Sequence, residues 1–211
     1  NRVRVCPNAW AVRLASMSIT PHVSQRILGQ RSLVAASTAD HRDRFAWLDE
    51  GTVRLLDAGL NEVATRDVAA TRLLAARGLD ELVMRRDDAL IIAGLNGVVV
   101  AVLAADAAAF VGGYLVATAP GVDEHRILLL DPRTGDVLDQ VMVDAEDAAA
   151  FITRHPIDPT VLIEFPMGQD GTVTRRVDVE ADTLTVSELF AGEDVVLAGF
   201  DSTGSRLLVI P

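Results

Sequence analysis

Between Asp147 and Ile210 the chain alternates apolar runs with clusters of turn-forming residues at short intervals. The clusters are His155-Pro156-Ile157-Asp158-Pro159, Gly168-Gln169-Asp170-Gly171 and Asp201-Ser202-Thr203-Gly204. Short runs bounded by Gly, Pro, Asp and Ser are the signature of antiparallel strands stacked one after another. This rhythm constrains the architecture strongly. It names neither a substrate nor a reaction.

The same rhythm extends upstream. Phe45-Ala46-Trp47-Leu48, Thr52 to Leu56 and Glu62 to Val68 are separated by Asp49-Glu50-Gly51 and Asp57-Ala58-Gly59, which predicts a three-stranded meander. Ala89 to Ala93 and Val98 to Val102 flank Gly94-Leu95-Asn96-Gly97, a strong hairpin signal. Their continuous apolarity predicts strands buried on both faces. Residues 68–86 have helix-forming composition, but Gly78 interrupts them. Leu73, Leu74, Leu82 and Val83 hold the 3.6 period poorly. We read two strands around Gly78-Leu79-Asp80, with a helix as the alternative. Residues 1–40 carry less signal: Arg2 to Val5 and Ala11 to Ala15 are strand-like, Pro21 breaks any continuing helix, and 32–37 suits a short strand. Strands are expected at 44–49, 52–57, 89–93, 98–103, 114–118, 126–131, 137–143, 160–165, 172–179 and 183–189, with a final pair at 195–200 and 206–210.

A hexamer, Ala105 to Phe110, recurs as Glu146 to Phe151 at an offset of about 41, and a strand follows each copy. Phe200 precedes a third strand. A period in the forties with strands points to propeller blades; chance similarity of Ala-rich hexamers is the competing reading. On the repeat reading Phe110, Phe151 and Phe200 occupy equivalent buried positions. Second strands at Phe45–Leu48, Leu82–Met84, Tyr114–Ala117, Val161–Glu164 and Arg206–Val209 give about five units.

The segment Phe200 to Val209 resembles the Asp-Gly turn of WD40-like β-propellers, and Arg126 to Val137 resembles a Leu-Asp…Thr-Gly hairpin common in propeller blades. Residues 105–211 resemble WD40-like repeat proteins of high-GC bacteria. Residues 44–69 resemble them less closely, and 1–40 hardly. There is no Trp-Asp dipeptide and no Gly-His pair, and Ser202 stands where such turns carry Pro. The resemblance implies an all-β fold: one β-propeller-like domain over 1–211 with about five antiparallel four-stranded blades. In these turns Gly takes a positive φ and Asp accepts turn hydrogen bonds. The last unit stops after two strands, so residues 2–15 are expected to complete it; the rival is that the chain is part of a longer protein.

Composition narrows the function classes. A net charge of -11 argues against nucleic acid as a partner. All 19 basic residues are Arg, which fits a GC-rich bacterial genome. The single cysteine, Cys6, rules out an intramolecular disulfide and is compatible with a cytoplasmic location. No apolar run approaches the roughly 20 residues of a membrane span. Because the chain begins at Asn1, an upstream signal or anchor remains open.

No P-loop, G-x-G-x-x-G, H-E-x-x-H or G-x-S-x-G occurs. His22, His41, His125 and His155 are scattered through expected loops and read as surface histidines more readily than as a central metal cluster. Cys6 lacks an identifiable base. The acidic groups Asp123-Glu124, Asp144 with Glu146-Asp147, Asp178 with Glu180 and Asp182, and Glu193-Asp194 suit solvated turns better than a glycosidase pair. Trp10, Trp47 and Tyr114 are too few for a sugar cleft. No catalytic, cofactor or metal residue is nominated. Two expectations follow: a non-catalytic module binding an unidentified protein or peptide partner, or a propeller hydrolase or lactonase with a central carboxylate or metal site.

Overall fold

Continuous apolar strands need cover on both faces, and the structure supplies it by stacking sheets. In the computed structural model, residues 33–36, 44–94, 97–121, 124–145, 149–193, 196–201 and 203–210 are described. The first sheet runs β1 (Leu33–Ala35), β2 (Phe45–Asp49), β3 (Thr52–Leu56), β4 (Glu62–Asp67). The second is β5 (Arg72–Arg77), β6 (Glu81–Arg86), β7 (Ala89–Gly94), β8 (Gly97–Ala101). The third is β9 (Ala107–Val111), β10 (Tyr114–Pro120), β11 (Glu124–Leu130), β12 (Val137–Asp144). The fourth is β13 (Phe151–Arg154), β14 (Thr160–Pro166), β15 (Thr172–Glu180), β16 (Thr183–Glu193). A two-stranded fifth holds β17 (Val196–Phe200) and β18 (Leu207–Ile210). Every pairing is antiparallel between sequence neighbours.

First strands of successive sheets neighbour one another, β1 with β5, β5 with β9, β9 with β13 and β13 with β17. The first strands are therefore innermost and the last strands form the outer rim, the blade order of a β-propeller. The expected second strands are β2, β6, β10, β14 and β18, and residues 68–86 give two strands rather than a helix. The expected closure by residues 2–15 lies outside the described residues; among the described ones, β17 and β18 pair only with each other.

The period-2 alternation of each second strand feeds two cores at once. On β6, Leu82 and Met84 join Leu48 and Val53 of the first sheet, while Val83 joins Phe110 and Leu115 of the third. On β10, Leu115 and Ala117 face the second sheet and Val116 the fourth. On β14, Val161, Ile163 and Phe165 pack toward the third sheet, and Leu162 toward Leu197 and Val209 of the fifth.

Side chains bonded to backbone bridge each junction. Arg66 donates to the Leu79 carbonyl at 2.6 Å, and Arg77 to the Gly112 carbonyl at 2.7 Å. Asp139 accepts from the Leu184 N–H at 2.7 Å, and Glu164 from the Leu197 N–H at 2.8 Å. At the last junction His155 Nδ1 also accepts the Asp158 N–H at 2.8 Å, so its proton sits on Nε2, which donates to the Gly204 carbonyl at 3.1 Å. The resembled turn behaves as expected: Gly204 has φ 72°, and Asp201 accepts from Thr203 Oγ1 and the Arg206 N–H.

Three expectations need correction. Phe110 is buried at 2 % exposure, Phe200 is half-buried, and Phe151 is 55 % exposed. The hairpins close at Val111–Tyr114, Arg154–Val161 and Phe200–Leu207. Phe110 thus sits one residue before closure, Phe200 at it, and Phe151 three before, because the hexamers match in composition but not in register. Second, β8 is not buried on both faces: Val98 is 61 % and Val100 48 % exposed. Third, His125 and His155 are buried, not superficial.

Two stability predictions follow. Phe110→Ala should cost about 3–5 kcal/mol in urea unfolding, and Phe151→Ala less than about 1 kcal/mol. A Cβ on Gly204 would stand 2.2 Å from the His155 ring, whereas one on Gly112, also at positive φ, meets nothing within 4 Å. Gly204→Ala should therefore lower the melting temperature well beyond Gly112→Ala; equal losses would show that backbone strain alone decides both.

Candidate functional site

The second sheet ends in a strand unlike the fourth strands of the other sheets. β4 carries Glu62, Arg66 and Asp67; β12 carries Asp139 and Asp144; β16 carries Glu188 and Glu193. β8 reads Gly-Val-Val-Val-Ala, and no charged residue occurs from Ala89 to Ala105. Natural sheet edges are guarded by charge, proline or cover, since unpaired main-chain groups invite a further strand. Among the described residues, β8 is the last strand of its sheet and pairs only with β7.

Register fixes what that edge offers. Gly94 pairs with Gly97 across a two-residue connection, then Ala93 with Val98, Ile92 with Val99 and Ile91 with Val100. The closing pair of such a hairpin is hydrogen-bonded, so Val99 and Ala101 also bond to β7. The N–H and C=O groups of Val98 and Val100 therefore point to the open edge. Val99 and Ala101 turn their side chains toward the third sheet, where a Cβ on Gly135 would come within 2.9 Å of Val99. Val98, Val100 and Val102 remain 61 %, 48 % and 90 % exposed.

A cleft of about 310 Å³ opens beside this strand, lined by Ile92, Val98, Val99, Phe110, Glu81 and Arg133 among others. Phe110 is one of its lining residues and lies under the Arg77 guanidinium, 4.7 Å from the ring centroid. Arg77 pairs with Glu81 at 3.0 Å. The cleft thus sets apolar Ile92, Val98, Val99 and Phe110 beside the charged Glu81 and Arg133. In the sequence this feature is the charge-free stretch Ala89 to Ala105, whose apolarity by itself predicts a hairpin buried on both faces.

Of the titratable residues weighed for chemistry, His125, Asp178 and Asp201 serve the fold. His125 is fully buried, with Nδ1 3.1 Å from the Ala145 carbonyl, Nε2 3.1 Å from Asp106 and its ring 5.2 Å from that of Phe165. Asp178 accepts from Thr160 Oγ1 at 2.5 Å and is paired with Arg176 at 2.9 Å. Asp201 anchors its own turn, and the Thr203, Ser205 and Arg206 donors hold its carboxyl below the usual range against the opposing pull of burial. Cys6, Trp10, His22, His41, Asp123, Glu146, Asp147 and Asp194 lie outside the described residues. Among the described residues, no three His, Cys, Asp or Glu side chains gather as a metal site, and no helix is long and apolar enough to cross a membrane.

Burial pushes the Glu164 carboxyl up from its ordinary 4.5, opposed by the Leu197 N–H it accepts. A carboxyl raised on folding stabilises the fold below its unfolded value, and that contribution is lost as pH rises through the raised value. Glu164→Gln keeps an acceptor for Leu197 without the buried charge. Urea unfolding across pH should therefore show the wild type losing stability above pH 4.5 relative to the variant. Parallel curves would refute the assignment.

No family model matches the chain, and no curated protein matches it. Among solved structures it is similar to the WD40 domain of coronin from Toxoplasma gondii, with TM-score 0.52 and 15 % identity, covering 72 % of this chain and 44 % of that one. It is also similar to hydrazine synthase from Kuenenia stuttgartiensis, with TM-score 0.54 and 11 % identity over 80 % of this chain and 58 % of that one. The chain spans about half the length of these structures. At such identities the likeness is one of fold, and the fold is that of a WD40-like β-propeller.

Proposed function

We propose that the chain is a non-catalytic binding module that docks a protein or peptide partner on the open edge of β8 and in the adjoining cleft. The observation that carries this reading is the unguarded edge itself: Val98 and Val100 offer outward main-chain groups and exposed side chains on the one fourth strand without charge among the described residues. A partner strand there gains main-chain hydrogen bonds, and alternate apolar side chains give selectivity. His125, His155, Asp139, Glu164, Asp178 and Asp201 are engaged in turns and structural hydrogen bonds, which favours binding over hydrolysis.

The test is affinity capture from extracts of the source cell with the wild type and with Val98→Asp combined with Val100→Asp. The reading expects a protein held by the wild type and lost with the variant at an unchanged melting temperature. Equal capture by both would contradict it.

A further inference from the structure

We infer that the strand received by β8 is β8 of a second copy of this chain, paired antiparallel about a two-fold axis at Val99. This rests on the reading of β8 as a docking edge. A two-fold interface must be self-complementary, each residue meeting its own symmetry mate or an exchanged pair. Gly97-Val98-Val99-Val100-Ala101 is nearly the same read in either direction about Val99. Antiparallel pairing about that centre sets Val98 against Val100 of the second copy, and Val100 against its Val98. These are the two residues whose main-chain groups face outward, so each pair exchanges two N–H···O bonds while Val99 meets Val99 without one. The exposed side chains of Val98 and Val100 then form cross-strand valine pairs across the axis, a favourable contact for β-branched residues.

Charge selects the same place. Two copies at net charge -11 each repel over most of their surfaces. The stretch from Ala89 to Ala105 carries no charge, so approach along β8 brings no like-charged side chains of that strand together. The five-residue edge is only about 17 Å long. That is short for a permanent interface, which needs on the order of 1,000 Å² or more. The association is therefore reversible and concentration-dependent.

Sedimentation equilibrium of the whole chain from micromolar to millimolar concentration tests this directly. A reversible dimer is expected. Val98→Lys with Val100→Lys should raise its dissociation constant at least about tenfold by placing like charges on the edge. Val100→Pro should do the same, since it removes an outward N–H but no bond to β7. Val63→Lys, on the exposed face of β4, should leave it unchanged. In a Cys6→Ser background, Val99→Cys should form a disulfide-linked dimer, since facing non-hydrogen-bonded residues stand about 4.5 Å apart. A chain that stays monomeric throughout, or a dimer indifferent to both edge variants, overturns the inference. A monomer that still captures another protein through Val98 and Val100 would remove the second copy and leave the docking edge standing.

Discussion

The structure depends on one constraint: each inner strand has two faces, and both must be covered by neighbouring sheets. A single four-stranded sheet would leave half of Leu82, Val83 and Met84, or of Val161, Leu162 and Ile163, in water. Stacking sheets face to face buries both sets, so alternate residues of one strand belong to different cores. Each fully buried aliphatic or aromatic side chain contributes about 1.5–3 kcal/mol. The junction between the third and fourth sheets alone gathers Val116, Ile127, Leu129, Val161, Ile163 and Phe165, all essentially inaccessible. A hydrogen bond to a charged group nets about 1.5–3 kcal/mol, no more than one such side chain, and each of the first three junctions gathers several buried side chains for every bridging bond. Packing therefore supplies the stability, while the bonds from Arg66, Arg77, Asp139, Glu164 and His155 fix how one sheet sits on the next.

Stacking also decides where the open surface falls. Inner strands are covered by both neighbours, while the fourth strands keep less cover, although β12 and β16 still meet through Asp139 and Leu184. β4 and β12 set charged residues beside their exposed apolar ones, Val63 on β4 and Val137, Leu138 and Met142 on β12. β8 has valines and no charge, and only the face carrying Val99 and Ala101 is closed by the third sheet. The departure from the pattern of the other rims is local, and it coincides with the cleft at Phe110.

Much of this architecture could be read from the residues because strand alternation and turn chemistry are local signals. Gly78 marked the β5–β6 turn against a helix-like composition, and the Asp201 and Gly204 turn took its expected geometry. The misreadings arose where long-range packing decides. Phe151 shares a hexamer with Phe110, yet the β13–β14 connection is longer, and the two rings land in different register. His155 does lie in the β13–β14 connection, but it reads there as a surface histidine, whereas its ring fills the space left by the missing side chain of Gly204, a relation across 49 residues. The apolar run of β8 looked like core because apolarity alone does not say which neighbour is present.

The central claim is that the outward groups of β8 are free in the isolated chain. Amide hydrogen exchange at low micromolar concentration, resolved by residue, tests it most directly. Val99 and Ala101, bonded to β7, should exchange slowly, and Val98 and Val100 fast, alternating along one strand. Uniform protection from Val98 to Ala101 would mean that another part of the chain already covers this edge, and the account of β8 as a docking strand would be wrong.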